Sequence, residues 1–190
     1  MKRIFVTGTA GFIGMHVSKR LLEKGYKVIG IDNINDYYDI NLKLSRIEIL
    51  KNFDNFTFIK EDIANNENLL NIFSIYEPDI VINLAAQAGV RYSIDYPQKY
   101  IDSNINGFYS ILEACKKYPV QHLIYASSSS VYGNNSQFPF SENDDTSKPL
   151  NLYAATKKSN ELMAYAYSSL FGIPTTGLRF FTVYGSGVAW

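Results

Sequence analysis

"RIFVTGTAGFIGMHVSKRLLEKGYKVIGID", residues 3–32, contains a strand, a turn, a helix and a second strand in succession. Residues 3–8 are a short apolar run ending in Gly8, the pattern of a buried strand. The spacing then changes. Phe12, Ile13, Val17, Leu21 and Leu22 supply the apolar side of a helix, and Gly25 is its stop. Residues 26–32 form the second strand. Gly8, Gly11 and Gly14 therefore lie between the first strand and the first helix. Small residues there let the backbone approach a pyrophosphate, and the helix N-terminus offers free N–H groups with positive partial charge. A plain tight turn uses the same glycines, so the end of the second strand separates the two readings. Asp32 stands there, eighteen residues after Gly14. A carboxylate at that point accepts hydrogen bonds from both hydroxyls of an adenine ribose and repels a 2′-phosphate. The unit is expected to bind NAD in preference to NADP.

The alternation continues along the chain. Apolar runs at 56–62, 79–86, 121–130 and 175–185 read as four more strands. Helical stretches fall between them, notably around 98–117 and 152–171. This order predicts an α/β fold: a doubly wound, Rossmann-type parallel sheet with helices on both faces. A long polar loop, "GNNSQFPFSENDDTSKP", separates the fifth strand from the last long helix. Loops of that length are functional or disordered.

Composition narrows the class. Of 190 residues 46% are hydrophobic and 19% charged, as in a globular domain. The formal net charge is zero, which argues against nucleic acid as a partner. Cys115 is the lone cysteine, so an internal disulfide is ruled out. With no signal peptide evident, a cytoplasmic location is expected. No apolar run approaches the roughly 20 residues that span a bilayer, so no membrane association is expected. No His, Cys and acid cluster suggests a metal site.

Tyr153 and Lys157 in "LNLYAATKKSN" stand four apart on one face of a predicted helix. None of the other fourteen tyrosines has a lysine at that spacing. Hydride removal from an alcohol needs a base for the hydroxyl proton. A free phenol has a pKa of about 10, and lowering it by roughly three units takes about 4 kcal/mol. A lysine ammonium one turn away and the positive nicotinamide of NAD⁺ can supply that.

The motifs "TGTAGFIG", "GIDNINDYYD", "NLAAQAGVRYS", "YASSSSVYG", "YAATKKSNELMA" and "TGLRFFTVYG" together resemble the extended short-chain dehydrogenase/reductase family. Within it the chain is most similar to the UDP-glucuronate 4-epimerases, and the resemblance runs from Lys2 to Gly185. It implies a catalytic trio of Tyr153, Lys157 and Ser128. In the implied reaction Tyr153 takes the proton of the 4-hydroxyl while hydride leaves C4 for NAD⁺. The 4-keto sugar turns over, and hydride returns to its other face. Related dehydratases and decarboxylases place an acid before "VYG"; "SSSSVYG" has none, which favours simple epimerisation.

The resemblance also implies a cofactor surface. It comprises Gly8, Gly11, Phe12, Ile13, Gly14, Asp32, Asn33, Asp62, Ile63, Leu84, Ala85, Ala86, Asn104 and Phe180, with Tyr153 and Lys157. Asp62 can equally cap a helix, Asn104 can equally be a packing residue, and Phe180 can equally be core. Gln87, Arg91, Ser127, Ser128 and Thr182 are expected to meet the substrate, although Arg91 also fits a solvated surface position. A UDP-sugar is the implied partner, and a homodimer through the helices at 98–117 and 152–171 is expected.

The chain departs from the pattern after "FFTVYG". The relatives continue with a Pro-Trp-Gly-Arg-Pro-Asp segment, and here Ala189 replaces the arginine expected to meet the sugar carboxylate. The expected division is an NAD-binding domain over 1–185 and a divergent tail over 186–190, with the substrate domain missing. A catalytically inactive NAD-binding or dimerising fragment is the alternative expectation.

Overall fold

A computed structural model describes residues 1–187; Ala189 and the remainder of the expected tail beyond Gly187 lie outside the described residues. The strands are β1 (Arg3–Thr7), β2 (Lys27–Asp32), β3 (Phe56–Lys60), β4 (Ile80–Asn83), β5 (His122–Ser128) and β6 (Thr175–Phe180). The helices are α1 (Phe12–Glu23), α2 (Ile40–Lys51), α3 (Asn66–Tyr76), α4 (Tyr92–Asp95), α5 (Pro97–Tyr100), α6 (Gly107–Lys117) and α7 (Leu152–Phe171). All strand pairs are parallel, in the order β3-β2-β1-β4-β5-β6. This is the expected Rossmann sheet. The order in which strands are added reverses between β1 and β4, and a crevice opens there at the carboxyl ends of the strands.

Successive strand residues point to opposite faces, which divides the core in two. Phe5, Ile29, Ile31, Val81 and Leu123 face α3 and α6, where Phe73, Phe108, Ile111 and Leu112 meet them. Ile4, Val6 and Val28 face the other way, against Met15 and Leu22 of α1 and Ile47 and Leu50 of α2. At about 25 cal/mol per Å² of apolar surface, such burial is the main favourable contribution to folding.

The stretch at 98–117 is not one regular helix. α5 passes into a π-helical segment, Ile101–Asn106, before α6 begins. Such π segments cluster at functional sites because they turn one side chain out of register. Here the residue inside it is Asn104, 2% exposed. The helix at 152–171 matches its expected bounds. The Asn151 side chain caps it by accepting from Ala154 N at 2.8 Å, and Gly172 ends it at φ 67°. β6 is an edge strand, and it exposes Leu178 while the segment after it exposes Phe181, Val183 and Tyr184.

Candidate active site

A cleft of about 770 Å³ runs along the carboxyl ends of the strands. One end is built by the glycine turn. Gly8 adopts φ +70°, and a Cβ there would stand 2.8 Å from Ala85 N. A Cβ on Gly14 would stand 2.0 Å from Gly8 O. The turn therefore closes against its neighbours only because these positions carry no side chain. Gly11 precedes α1 and brings no side-chain cap, so the first-turn N–H groups stay available to an anion. Thr7 fixes the turn to β4: its hydroxyl donates to Asn83 Oδ1 at 2.7 Å and accepts from Leu84 N and Ala85 N. Backbone cradle, helix terminus and Asp32 together fit a dinucleotide.

Gly8, Gly11, Phe12, Ile13, Gly14, Asp32, Asn33, Asp62, Ile63, Leu84, Ala85 and Ala86 all line the cleft. So do Gln87, Ser127, Ser128, Tyr153, Lys157, Phe180 and Thr182. Asp32 also ties the loops together, accepting from Ala10 N at 3.0 Å and Ile34 N at 2.9 Å. Burial pushes its carboxyl above the usual range, against the pull of those N–H groups, Lys43 and Arg46. Asp62 accepts from Asn33 Nδ2 and from Ala64 N.

Two expected residues lie outside the cleft. Arg91 is exposed at the start of α4. Asn104 turns its amide to the protein: Oδ1 accepts from Gln87 N, and Nδ2 donates to Gln87 O and Thr156 Oγ1. It holds the segment after β4 in place. Conversely, Asn35, Tyr37, Tyr38, Lys43, Ser129 and Ser130 line the cleft without having been expected there.

Ser128, Tyr153 and Lys157 converge from β5 and α7. Burial pushes the Tyr153 phenol above its ordinary pKa, and a hydrogen bond with the Ser128 hydroxyl opposes it. Lys157 Nζ donates to Ala126 O at 2.8 Å and lies 6.0 Å from the centroid of the Tyr153 ring. In the protein alone the lysine is therefore held by the backbone rather than by the phenol.

Burial pushes the Lys157 ammonium down to about 8 from an ordinary 10.5. The folded pKa lies below the unfolded one, so the buried charge opposes folding fully below pH 8. That penalty is relieved as pH rises between about 8 and 10.5, where the unfolded chain binds more protons. The span corresponds to about 3 kcal/mol. Melting of the cofactor-free chain should shift upward from pH 8 to pH 10, and Lys157→Met should flatten that rise. An identical pH profile in both proteins would contradict the burial of this charge.

Behind the serines sits a charged clamp. Glu161 accepts from Ser127 Oγ at 2.6 Å, from Arg179 Nε at 2.9 Å and from Arg179 Nη2 at 3.1 Å. Burial pushes its carboxyl up, but Arg179, Ser127 and Lys158 together hold it below the usual range. Arg179 also donates to Glu142 O, and Lys158 to Thr146 Oγ1, both in the long polar loop. The loop is thereby fastened beside the cleft.

A family model described as the NAD dependent epimerase/dehydratase family matches residues 4–189. The chain belongs to that family. Protein CapI of Staphylococcus aureus is 58% identical over 96% of this chain and 54% of its own length. The probable UDP-glucuronate 4-epimerase of Rhizobium meliloti is 48% identical over the same shares. A crystal structure of UDP-glucuronic acid 4-epimerase from Bacillus cereus, in complex with UDP-glucuronic acid and NAD, superposes with a TM-score of 0.90. It is 40% identical, and the match covers 98% of this chain and 58% of that one. The UDP-glucose 4-epimerase of Thermotoga maritima gives a TM-score of 0.85 at 36% identity, over 96% and 56%. The chain thus spans about half the length of the epimerase/dehydratase relatives it matches. Among the described residues no helix is long and apolar enough to cross a membrane, and no group of three or more His, Cys, Asp or Glu can hold a metal ion.

Proposed function

We propose that residues 1–185 are the NAD-binding and catalytic unit of a UDP-sugar 4-epimerase that interconverts UDP-glucuronate and UDP-galacturonate. One observation carries the reading: Ser128, Tyr153 and Lys157 meet in the same cleft as the glycine turn and Asp32. The named relatives support the sugar. The divergent tail over 186–190 stands outside this unit.

Gly8, Gly11 and Gly14 with the α1 terminus would hold the diphosphate, Asp32 the adenine ribose, and Lys157 the second ribose. A bound nicotinamide supplies the reversible oxidation of the sugar carbon. Tyr153 takes the 4-hydroxyl proton and later returns it. Its phenol lies too high for that work in the protein alone, so the positive charge of Lys157 and of the bound ring would bring it down. Ser128 binds the substrate oxygen and orients the proton. Ser127 to Ser130 carry no acid, so nothing in that segment would drive elimination.

A homodimer belongs to the same proposal. Tyr109 on α6 and Leu162 and Tyr165 on α7 are exposed apolar residues on the two helices expected to pair. A reducing cytoplasm suits Cys115, which is buried and unpaired.

Calorimetric titration tests the cofactor assignment. NAD(H) should bind at least about tenfold tighter than NADP(H), a difference of about 1.4 kcal/mol. Equal or stronger NADP(H) binding overturns the role given to Asp32.

A further inference from the structure

The adenine-ribose end of the cleft holds more charge than one carboxylate. Lys43 lines it beside Asp32, Asn33 and Asn35, and the residue is 5% exposed. Its ammonium donates to Asn35 O at 2.8 Å and Asn35 Oδ1 at 2.6 Å. An ammonium carries three N–H groups, so those two acceptors leave one donor to spare. Arg46, one turn further along α2, is 2% exposed. It donates to Ala10 O at 3.0 Å and to Tyr38 OH at 2.8 Å. Ala10 is also the residue whose N–H goes to Asp32. Arg46 Nη2 also donates to Gly187 O, while Arg46 Nε is buried with no partner among the described residues.

Two buried cations therefore flank one carboxylate. The other acids of this end are engaged elsewhere or exposed. Glu61 accepts from Asp62 N and Asn68 Nδ2, Asp62 accepts from Asn33 and Ala64, and Asp36 is exposed, so that its pull on Lys43 is weaker than that of Asp32. Buried positive charge costs free energy unless an anion balances it. Asp32, which feels both cations, carries a single negative charge. A ribose 2′-phosphate, a dianion with several acceptor oxygens, would balance both if the carboxylate were absent.

Resting on the dinucleotide reading above, we propose that Lys43 and Arg46 form a latent phosphate-accepting pair held in check by Asp32. Lys43 is the contact and Arg46 the supporting charge. This single carboxylate then decides between NAD and NADP, and no new cation is needed to invert the choice.

The test is fluorescence titration of the unaltered chain, Asp32→Asn, Lys43→Met and the double variant with NADH and NADPH. Melting curves verify that each is folded. The unaltered chain should favour NADH. Asp32→Asn should move the NADPH-to-NADH affinity ratio by at least about a hundredfold, and adding Lys43→Met should remove most of that gain. A folded Asp32→Asn chain with the original ratio overturns the proposal, as does a double variant that keeps tight NADPH binding. If Asp32→Asn fails to fold, Asp32→Ser takes its place: it should shift the NADPH-to-NADH ratio in the same direction, adding Lys43→Met should reverse the shift, and an unchanged ratio overturns the proposal. Should the unaltered chain bind neither dinucleotide, the dinucleotide reading itself falls, and this proposal with it.

Discussion

The 190-residue chain, incubated with NAD⁺ and UDP-glucuronate, should form UDP-galacturonate at least about 10⁴-fold more slowly than the same residues joined to the remaining part of a full-length relative. Holding a substrate in reacting geometry is worth about 7–11 kcal/mol in favourable cases. Much of that hold comes from parts of the substrate that do not react. In the Bacillus cereus complex with UDP-glucuronic acid, the matched region is 58% of the chain. Here the cleft ends in Phe180 to Val183, of which Phe181 and Val183 are exposed. In the proposed reading Ser128, Tyr153 and Lys157 would move the proton, but no described residue beyond them would grip a nucleotide. In the joined protein, Tyr153→Phe should cost a further 10²–10⁴-fold, roughly the share of one general base. Chromatographic separation of the two UDP-sugars after long incubation reads both effects. Robust turnover by the 190 residues alone would show that their own cleft positions the sugar.

Gly14→Ala should abolish measurable NAD binding, with an affinity loss of at least about a hundredfold, or about 2.7 kcal/mol. The added Cβ would stand 2.0 Å from Gly8 O and 2.7 Å from Gly8 C. Those atoms are backbone, so either the turn or the first turn of α1 must move. Overpacking of this kind costs roughly 1–3 kcal/mol of stability. It also withdraws the helix N–H groups from the diphosphate. Gly11→Ala is the graded comparison, because its Cβ would stand 3.0 Å from Gly8 O and asks for a smaller shift. Its loss should be the lesser of the two. Equal NAD affinity for Gly14→Ala and the unaltered chain would remove the glycine turn from the cofactor site.

The parts of the fold and candidate site that were legible in the sequence are those written locally. Residues 3–32 carry their own periodicities, so the β1–turn–α1–β2 unit could be read with nothing else in view. Tyr153 and Lys157 are one helical turn apart, and the spacing survives in α7. Position along a chain does not say which way an amide turns, so the sequence leaves Asn104 open between a cofactor contact and a packing residue; in the structure its side chain makes three hydrogen bonds, to Gln87 and Thr156. Lys43 and Arg46 are hard to read from sequence for a different reason. The buried residues of α2 are Lys43, Arg46, Ile47 and Leu50, an ordinary inward stripe at helical spacing. Two of the four are cations, so the stripe does not look apolar. The signal was a lysine and an arginine standing in register with Ile47 and Leu50.

The Glu161 clamp has a consequence for the order in which the molecule takes shape. Ser127 and Glu161 are 34 residues apart, Glu161 and Arg179 are 18 apart, and Arg179 reaches back 37 residues to Glu142. No short segment can assemble it. β6 must first lie beside β5, and such distant closures come late compared with a helical turn. The serine wall of the cleft is thus braced only once β6 has docked on β5. It is also tied to the outermost strand of the sheet, so fraying at β6 would loosen the serine wall directly.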